Sequence, residues 1–332
     1  MNCLIKGKKL GSMKKLKSIK SFVEGEKIQG FFLCTEKHLR HTRNGDIYID
    51  IELRDITGHI SGKIWNNISA LNEKFVAGNA VAVSGIVELY LEKTQLNVKK
   101  INKATIQHYA RYGFDPANVV PSSKKNTDRM WKDIKSNIRL INDKSLRRLV
   151  ESIYRSFKKK IIILPGSIKS YYSFRSGFIE HIVSMLRLAN KITSSYNINK
   201  DMVIAGIFLH DIGKLREINS EYIADYTMEG NLLGSKVLGR DILMENARHI
   251  KNLNEIDLLK LEHIILVCGV NTELKSEHIP SFSEALFIKQ IKMLDTSMNI
   301  MDMVYDEEKE NSTFTTRFND FGIPLFKGNE TR

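Results

Sequence analysis

The sequence predicts a multidomain β + α protein, a small five-stranded barrel followed by an all-α domain. Three observations predict it. At 332 residues the chain exceeds the usual size of one domain. From about Glu24 to Ile106, short stretches alternate apolar and polar residues between turn residues, the two-residue period of half-buried strands. Beyond about Lys132 that period nearly vanishes and apolar residues recur at helical spacing.

The strands are read as Lys27–Glu36, Ile47–Asp55, Gly58–Trp65, Ala80–Leu89 and Thr94–Ala104. Asn44-Gly45 and Thr57-Gly58 are turn signals, and a short helical link is expected around Ile68–Phe75. This order and these lengths suit the five-stranded Greek-key barrel known as the OB-fold. Pro116, Pro121 and the polar run Ser122–Asp128 mark a connection. Helices are then expected over Ile179–Ser194, Lys200–His210, Leu232–Ile250, Ile256–Val267 and Ser283–Val304. The expected divisions are a basic tail over 1–22, the barrel over 23–106, a linker over 107–132, the helical domain over 133–312 and a second tail over 313–332.

With 42% hydrophobic and 27% charged residues the composition is that of a soluble globular protein, and no apolar run approaches the ~20 residues of a membrane span. Membrane-embedded classes are excluded on that pattern. Cys3, Cys34 and Cys268 are odd in number and far apart, which argues against a disulfide framework and for a reducing cytoplasm. The basic N-terminus lacks the apolar stretch of an export signal. Lys6, Lys8, Lys9, Lys14, Lys15, Lys17 and Lys20 supply seven of the net thirteen positive charges. Such a tail fits a polyanionic partner, because phosphate contacts release counterions, and it equally fits a merely solubilising segment.

Barrels of this kind bind single strands by placing aromatic faces under bases and cations near phosphates, on the second and third strands and the flanking loops. Tyr48 lies on the second strand; Lys63 and Trp65, two residues apart, share a face of the third. Arg40, His41 and Arg43 are expected in the first loop, with Tyr90 and Lys93 in the turn between the last two strands. Trp65 and Tyr48 could each be core residues, and the cluster is more informative than any member. The expected partner is single-stranded RNA or DNA.

In the helical domain the sharpest motif is Leu209-His210-Asp211-Ile212-Gly213-Lys214 at the end of an apolar helix. Adjacent His and Asp offer a nitrogen and an oxygen ligand to a divalent ion that activates water against a phosphate ester. Ser176-Gly177-Phe178-Ile179-Glu180-His181 places another His about thirty residues upstream. That order resembles the HD-type phosphohydrolases. His38, His59, His108, His249 and His278 have no partner at metal-binding spacing, and the acidic cluster Asp306, Glu307, Glu308 and Glu310 reads as a solvated face.

Several words in order carry a closer likeness. Gly25-Glu26-Lys27, Leu53-Arg54-Asp55-Ile56-Thr57-Gly58, Gly62-Lys63-Ile64-Trp65 and Val83-Ser84-Gly85 precede the motif above. Tyr226-Thr227-Met228-Glu229-Gly230, Leu232-Leu233-Gly234, His263-Ile264-Ile265-Leu266, Pro280 and Glu284-Ala285 follow it. Together they resemble the YhaM-type 3'-5' exoribonucleases from about Glu24 to Asp302. The resemblance implies an OB module joined to an HD domain, metal-dependent hydrolysis with Mn²⁺ or a similar ion, and a homo-oligomer whose surface the sequence does not indicate.

The resemblance also exposes departures. Ser235 stands where the family has a histidine after Leu-Leu-Gly, Cys268 and Gly269 replace an adjacent histidine pair, and Tyr171-Tyr172 replaces another. An ungapped match from Glu284-Ala285 puts Lys292 at the expected aspartate ligand and Asp295 at the second aspartate. His181, His210 and Asp211 remain as a ligand set, and together with Lys214 they are the expected catalytic residues if the site is active. Asp295 becomes the fourth ligand if the register shifts. If it does not, the Lys292 ammonium stands where a cation would be. Cys268 reads either as a substitute ligand or as a buried thiol. The expected function is single-stranded RNA binding with HD chemistry weakened or lost, and with no metal if the site is dead. An active metal-dependent exoribonuclease and a regulatory nucleotide-binding scaffold are the alternatives.

Overall fold

The computed structural model describes residues 16–268, 279–307 and 312–328. Cys3, Lys6, Lys8, Lys9, Lys14, Lys15, Gly269, His278, Glu308 and Glu310 lie outside the described residues. The chain forms two compact units that meet in sequence at Pro121 and Ser122.

The first unit is a closed barrel of β1 (Lys27–His41), β2 (Ile47–Asp55), β3 (Gly58–Ile64), β4 (Ala80–Tyr90) and β5 (Lys93–Lys103), in the order β1-β2-β3-β5-β4 with β1 also pairing β4. Only β3 and β5 run parallel. The alternation is what closes it. Ile49, Ile51 and Leu53 of β2, Val81, Val83 and Val87 of β4, and Leu96, Val98 and Ile101 of β5 all point into one core, and their neighbours point out. Bulges at Thr35 in β1 and at Lys99 in β5, opposite Ser84/Gly85, add the curvature that closure needs. The Ile68–Asn72 helix stands between β3 and β4.

β1 runs five residues past its expected end, so Arg40 and His41 belong to a strand and only Arg43 to the turn. Trp65 falls just beyond β3, and Tyr90 and Lys93 are the paired last residue of β4 and first of β5. Residues 19–22 pack on the barrel instead of trailing: Ile19 is buried, and its N–H donates to Asp55 Oδ2 (2.8 Å). The same carboxylate accepts from the N–H of Thr57 (2.7 Å) and Gly58 (3.1 Å), which fixes the β2–β3 turn. The stretch expected as a linker divides. Its first part forms short helical turns at Ile106–Tyr109, Ala110–Tyr112 and Pro116–Asn118 that bury Phe114, Val119 and Val120 in the first unit. Its last part enters the Thr127–Arg139 helix of the second.

The second unit is helical. Its long helices are Thr127–Arg139, Lys144–Ser156, Gly177–Ile192, Lys200–Leu209, Met228–Ala247, Glu255–Val267 and Ser283–Glu307. Every residue from Met202 to Leu209 is buried, so the Lys200–Leu209 helix forms the axis of the unit. Asn199 caps it by accepting from the Met202 N–H (3.1 Å), and the Tyr154 hydroxyl donates to the Phe208 carbonyl (2.8 Å), which sets where its C-terminus delivers His210. A small hairpin, Ile218–Ser220 with Ala224–Tyr226, interrupts the helices. Near the C-terminus Thr315 and Leu325 are buried and Phe314 bridges Phe326. Among the described residues no helix is long and apolar enough to cross a membrane.

Candidate functional site

On the barrel, outward positions of β2 and β3 meet across the ladder, with Asp50 opposite Lys63 and Arg40 of β1 opposite Tyr48. Tyr48 and Trp65 stack with ring centroids 4.7 Å apart and planes 26° apart. Trp65 is 42% exposed, so it presents a face and is not a core residue. Lys63 Nζ lies 5.6 Å from the Tyr48 centroid and pairs with Asp50, whose other oxygen takes Arg40 Nε at 2.8 Å. A groove of about 900 Å³ runs over this surface. Five of the seven expected residues line it, namely Tyr48, Lys63, Trp65, Tyr90 and Lys93; Arg40 and Arg43 do not. Glu52, His59 and Gln95 line it unforeseen. At its edge Leu91 and Glu92 both take positive φ, 47° and 62°, the geometry of a tight two-residue hairpin turn that holds Leu91 79% exposed. Burial pushes the Glu52 carboxyl above its usual range, with His59 opposing.

The helical unit converges on one buried centre. His181, His210 and Asp211 bring ligand atoms within 4.8 Å of one another, and theirs is the sole such group among the described residues. His181 Nδ1 is 2.7 Å from Asp295 Oδ2, and His210 Nδ1 is 2.8 Å from the Ile207 carbonyl. Both acceptors fix the proton on Nδ1 and leave Nε2 as a lone pair. Neither Nε2 has a hydrogen-bond partner among the described residues. Burial holds both imidazoles neutral, His210 down to about 3 and His181 below its usual value against the pull of Asp295. Asp295 therefore orients His181, and its carboxylate is outside the converging set.

Asp211 is enclosed by donors. Lys292 Nζ donates to Oδ1 (2.6 Å), while Lys214 Nζ (2.8 Å) and the Tyr171 hydroxyl (3.2 Å) reach Oδ2. Burial would push this carboxyl up, but Lys214 and then Lys292 outweigh it and hold it well below the usual range. The Lys292 ammonium stays protonated despite its burial because Asp211 faces it. Lys292 also donates to the Cys268 carbonyl (2.9 Å), and Lys214 to the Tyr171 hydroxyl (2.5 Å) and the Gly166 carbonyl. Burial pushes the Cys268 thiol up to about 12, and its sulfur is outside the converging set. His263 Nε2 accepts from the Ser281 N–H (3.0 Å).

Two known families match the two units. The OB-fold nucleic acid binding domain matches residues 35–104, and the HD domain matches residues 178–268. The 3'-5' exoribonuclease YhaM of Listeria monocytogenes is 27% identical over 297 residues, 88% of this chain and 92% of that protein; the YhaM of Listeria welshimeri shows the same figures. The chain is thus similar to YhaM over most of its length. Among solved structures, the second OB-fold domain of replication protein A from Methanococcus maripaludis is 20% identical, covers 26% of this chain and 92% of that one, and gives a TM-score of 0.22. The YhaM-like arrangement joins a nucleic-acid-binding barrel to an HD domain with a His/Asp cluster.

An HD centre calls for a divalent ion, and the residues present meet that call in part. The two bare Nε2 atoms are correct nitrogen donors. The charge is not correct. Both oxygens of the sole carboxylate in the cluster are neutralised by ammonium groups, and at an effective dielectric of about 20 each unit charge some 4 Å from a divalent ion opposes it by about 8 kcal/mol. Hard ions such as Mn²⁺ and Mg²⁺ depend on carboxylate oxygen. The centre as built does not fit one.

Proposed function

We propose that this chain binds single-stranded RNA on the Tyr48–Trp65 face of its barrel, and that phosphodiester hydrolysis at its HD centre is weakened or lost. The observation that carries the second half is the Lys292 ammonium 2.6 Å from Asp211 Oδ1. A fixed monovalent cation satisfies the buried carboxylate but supplies no open coordination position, no activated water and no clamp on the leaving oxygen. The first half is supported by the stacked pair with Lys63 and Lys93 along one groove, since exposed aromatics beside cations suit bases and phosphates together.

The test is to incubate full-length protein with 5'-labelled single-stranded RNA in Mn²⁺ and read binding and shortening from the same samples. Binding without shortening is expected. Shortening from the 3' end that disappears in Asp211→Ala would overturn the loss of hydrolysis. A second reading, an active exoribonuclease with a single ion, is favoured by one observation, the two buried lone pairs of His181 and His210 that no described residue satisfies. That assay decides between the two.

A further inference from the structure

The opposite side of the barrel carries a second groove that shares no lining residue with the first. It spans about 1020 Å³ over β1, β4 and β5. Its floor follows from the register. Gln29 of β1, Ser84 of β4 and Lys100 of β5 form one row across the sheet, and Phe31, Ala82 and Asn102 form the next. Because the middle strand contributes only Ala82 and Ser84 to these rows, the sheet surface lies open between taller side chains at either edge.

The wall is built by the Ile106–Tyr112 turns. Tyr109 packs edge-on against Phe31 (5.7 Å) and lies 6.1 Å from Tyr112, which is 58% exposed and carries the Arg111 guanidinium 4.8 Å from its ring centre. Four cations line the groove, Lys74, Lys100, Lys103 and Arg111. No acidic side chain does so among the described residues, whereas the first groove contains Glu52 and Glu92. An acid-free cationic trough with a protruding aromatic suits a chain of phosphates interleaved with flat bases, and the open floor of small residues gives a backbone room to lie down.

We infer that this Tyr112–Lys100 groove is a second single-strand track, so that one barrel holds two segments of a long RNA. The inference rests on the reading that the barrel binds single strands. It predicts binding that strengthens with RNA length beyond what one groove can cover.

The experiment titrates full-length protein with oligouridines of about 6 nucleotides, within the reach of a single OB groove, and about 24, beyond it. Tyr112→Ala combined with Lys100→Gln should weaken the longer RNA about tenfold and the shorter one less than about twofold. Lys100→Gln alone, an exposed and nearly isosteric change, should lower the salt slope for the longer RNA by about 0.7. Thermal melts confirm the fold of each variant. If the paired variant binds the longer RNA like wild type while Trp65→Ala does not, the inference fails and the first groove stands. If Trp65→Ala is silent and the paired variant is not, the choice of the first groove is wrong and the two-segment inference fails with it, leaving the Tyr112–Lys100 groove as a single track. Loss of polyglutamate binding in the paired variant with RNA affinity intact would assign the groove to an acidic peptide and overturn the inference.

Discussion

Lys292 Nζ lies 2.6 Å from Asp211 Oδ1, and both side chains are buried. The pair ties the Ser283–Glu307 helix to the end of the Lys200–Leu209 helix across the point where the two imidazole lone pairs converge. Removing one member of a buried ion pair costs more than the pair itself contributes, because the other charge is stranded.

Lys292→Met should therefore destabilise the helical unit, toward the lower end of about 3–5 kcal/mol because Lys214 still faces Asp211. Freed of one ammonium, Asp211 becomes available to an ion. Chemical denaturation with and without Mn²⁺ should show the metal restoring stability to Lys292→Met and adding little to wild type. Equal stabilisation of both proteins by Mn²⁺ would mean that Lys292 does not exclude the ion.

Trp65→Ala should weaken a short single-stranded oligonucleotide by about 1–3 kcal/mol, read by fluorescence anisotropy, with an unchanged melting curve. Its exposed face predicts the intact fold. Unchanged affinity in a folded variant would move the binding face elsewhere on the barrel.

The strands were legible because alternation and turn residues agree over the whole barrel. The end of β1 was misplaced because Lys37 is only half-buried and His38–His41 are all exposed, so burial no longer marks the period. The Thr127–Arg139 helix hid behind a polar first turn; its signal was Asn126, which caps the Arg129 N–H at 2.9 Å. At the HD centre the residue types were legible from the motif, and the place of Lys292 beside Asp211 was one of two outcomes of the family resemblance, the other being Asp295 as ligand. Atom-level roles were not. Asp295 could be read as a ligand but not as the partner of His181 Nδ1, and nothing local announces that the Tyr171 hydroxyl reaches a carboxylate forty residues away. The Tyr112 groove escaped because Lys100 and Asn102 read as an ordinary solvated face and 107–112 as a linker.

Glu52 sets a pH dependence in the first groove. Its carboxyl is raised by burial, so it takes up its proton at a higher pH than an ordinary glutamate, and below that point its repulsion of phosphate is gone. Glu52→Gln should bind RNA about two- to fivefold more tightly than wild type at neutral pH, the scale of one partly exposed charge. The difference should close as pH falls through the raised Glu52 range. A constant difference at every pH would show that Glu52 acts by shape and not by charge.

Deleting residues 1–15 removes five of the seven tail lysines. If they contact phosphate, the slope of log affinity against log salt should become shallower by up to about 0.7 per lysine lost, with base preference unchanged. An identical slope would make the tail a bystander. Deletion through Lys20 is a different experiment, since it also removes Ile19 from the barrel core.

If Lys292 holds the place of a metal ion in the HD centre, the metal content of purified full-length protein, measured by mass spectrometry, will show it. After exposure to Mn²⁺ and desalting, wild type should retain far less than one ion per chain, and Lys292→Asp, which returns a carboxylate to the site, should retain more. A full equivalent of metal in the wild-type protein, lost in Asp211→Ala, would mean that Lys292 does not displace the ion.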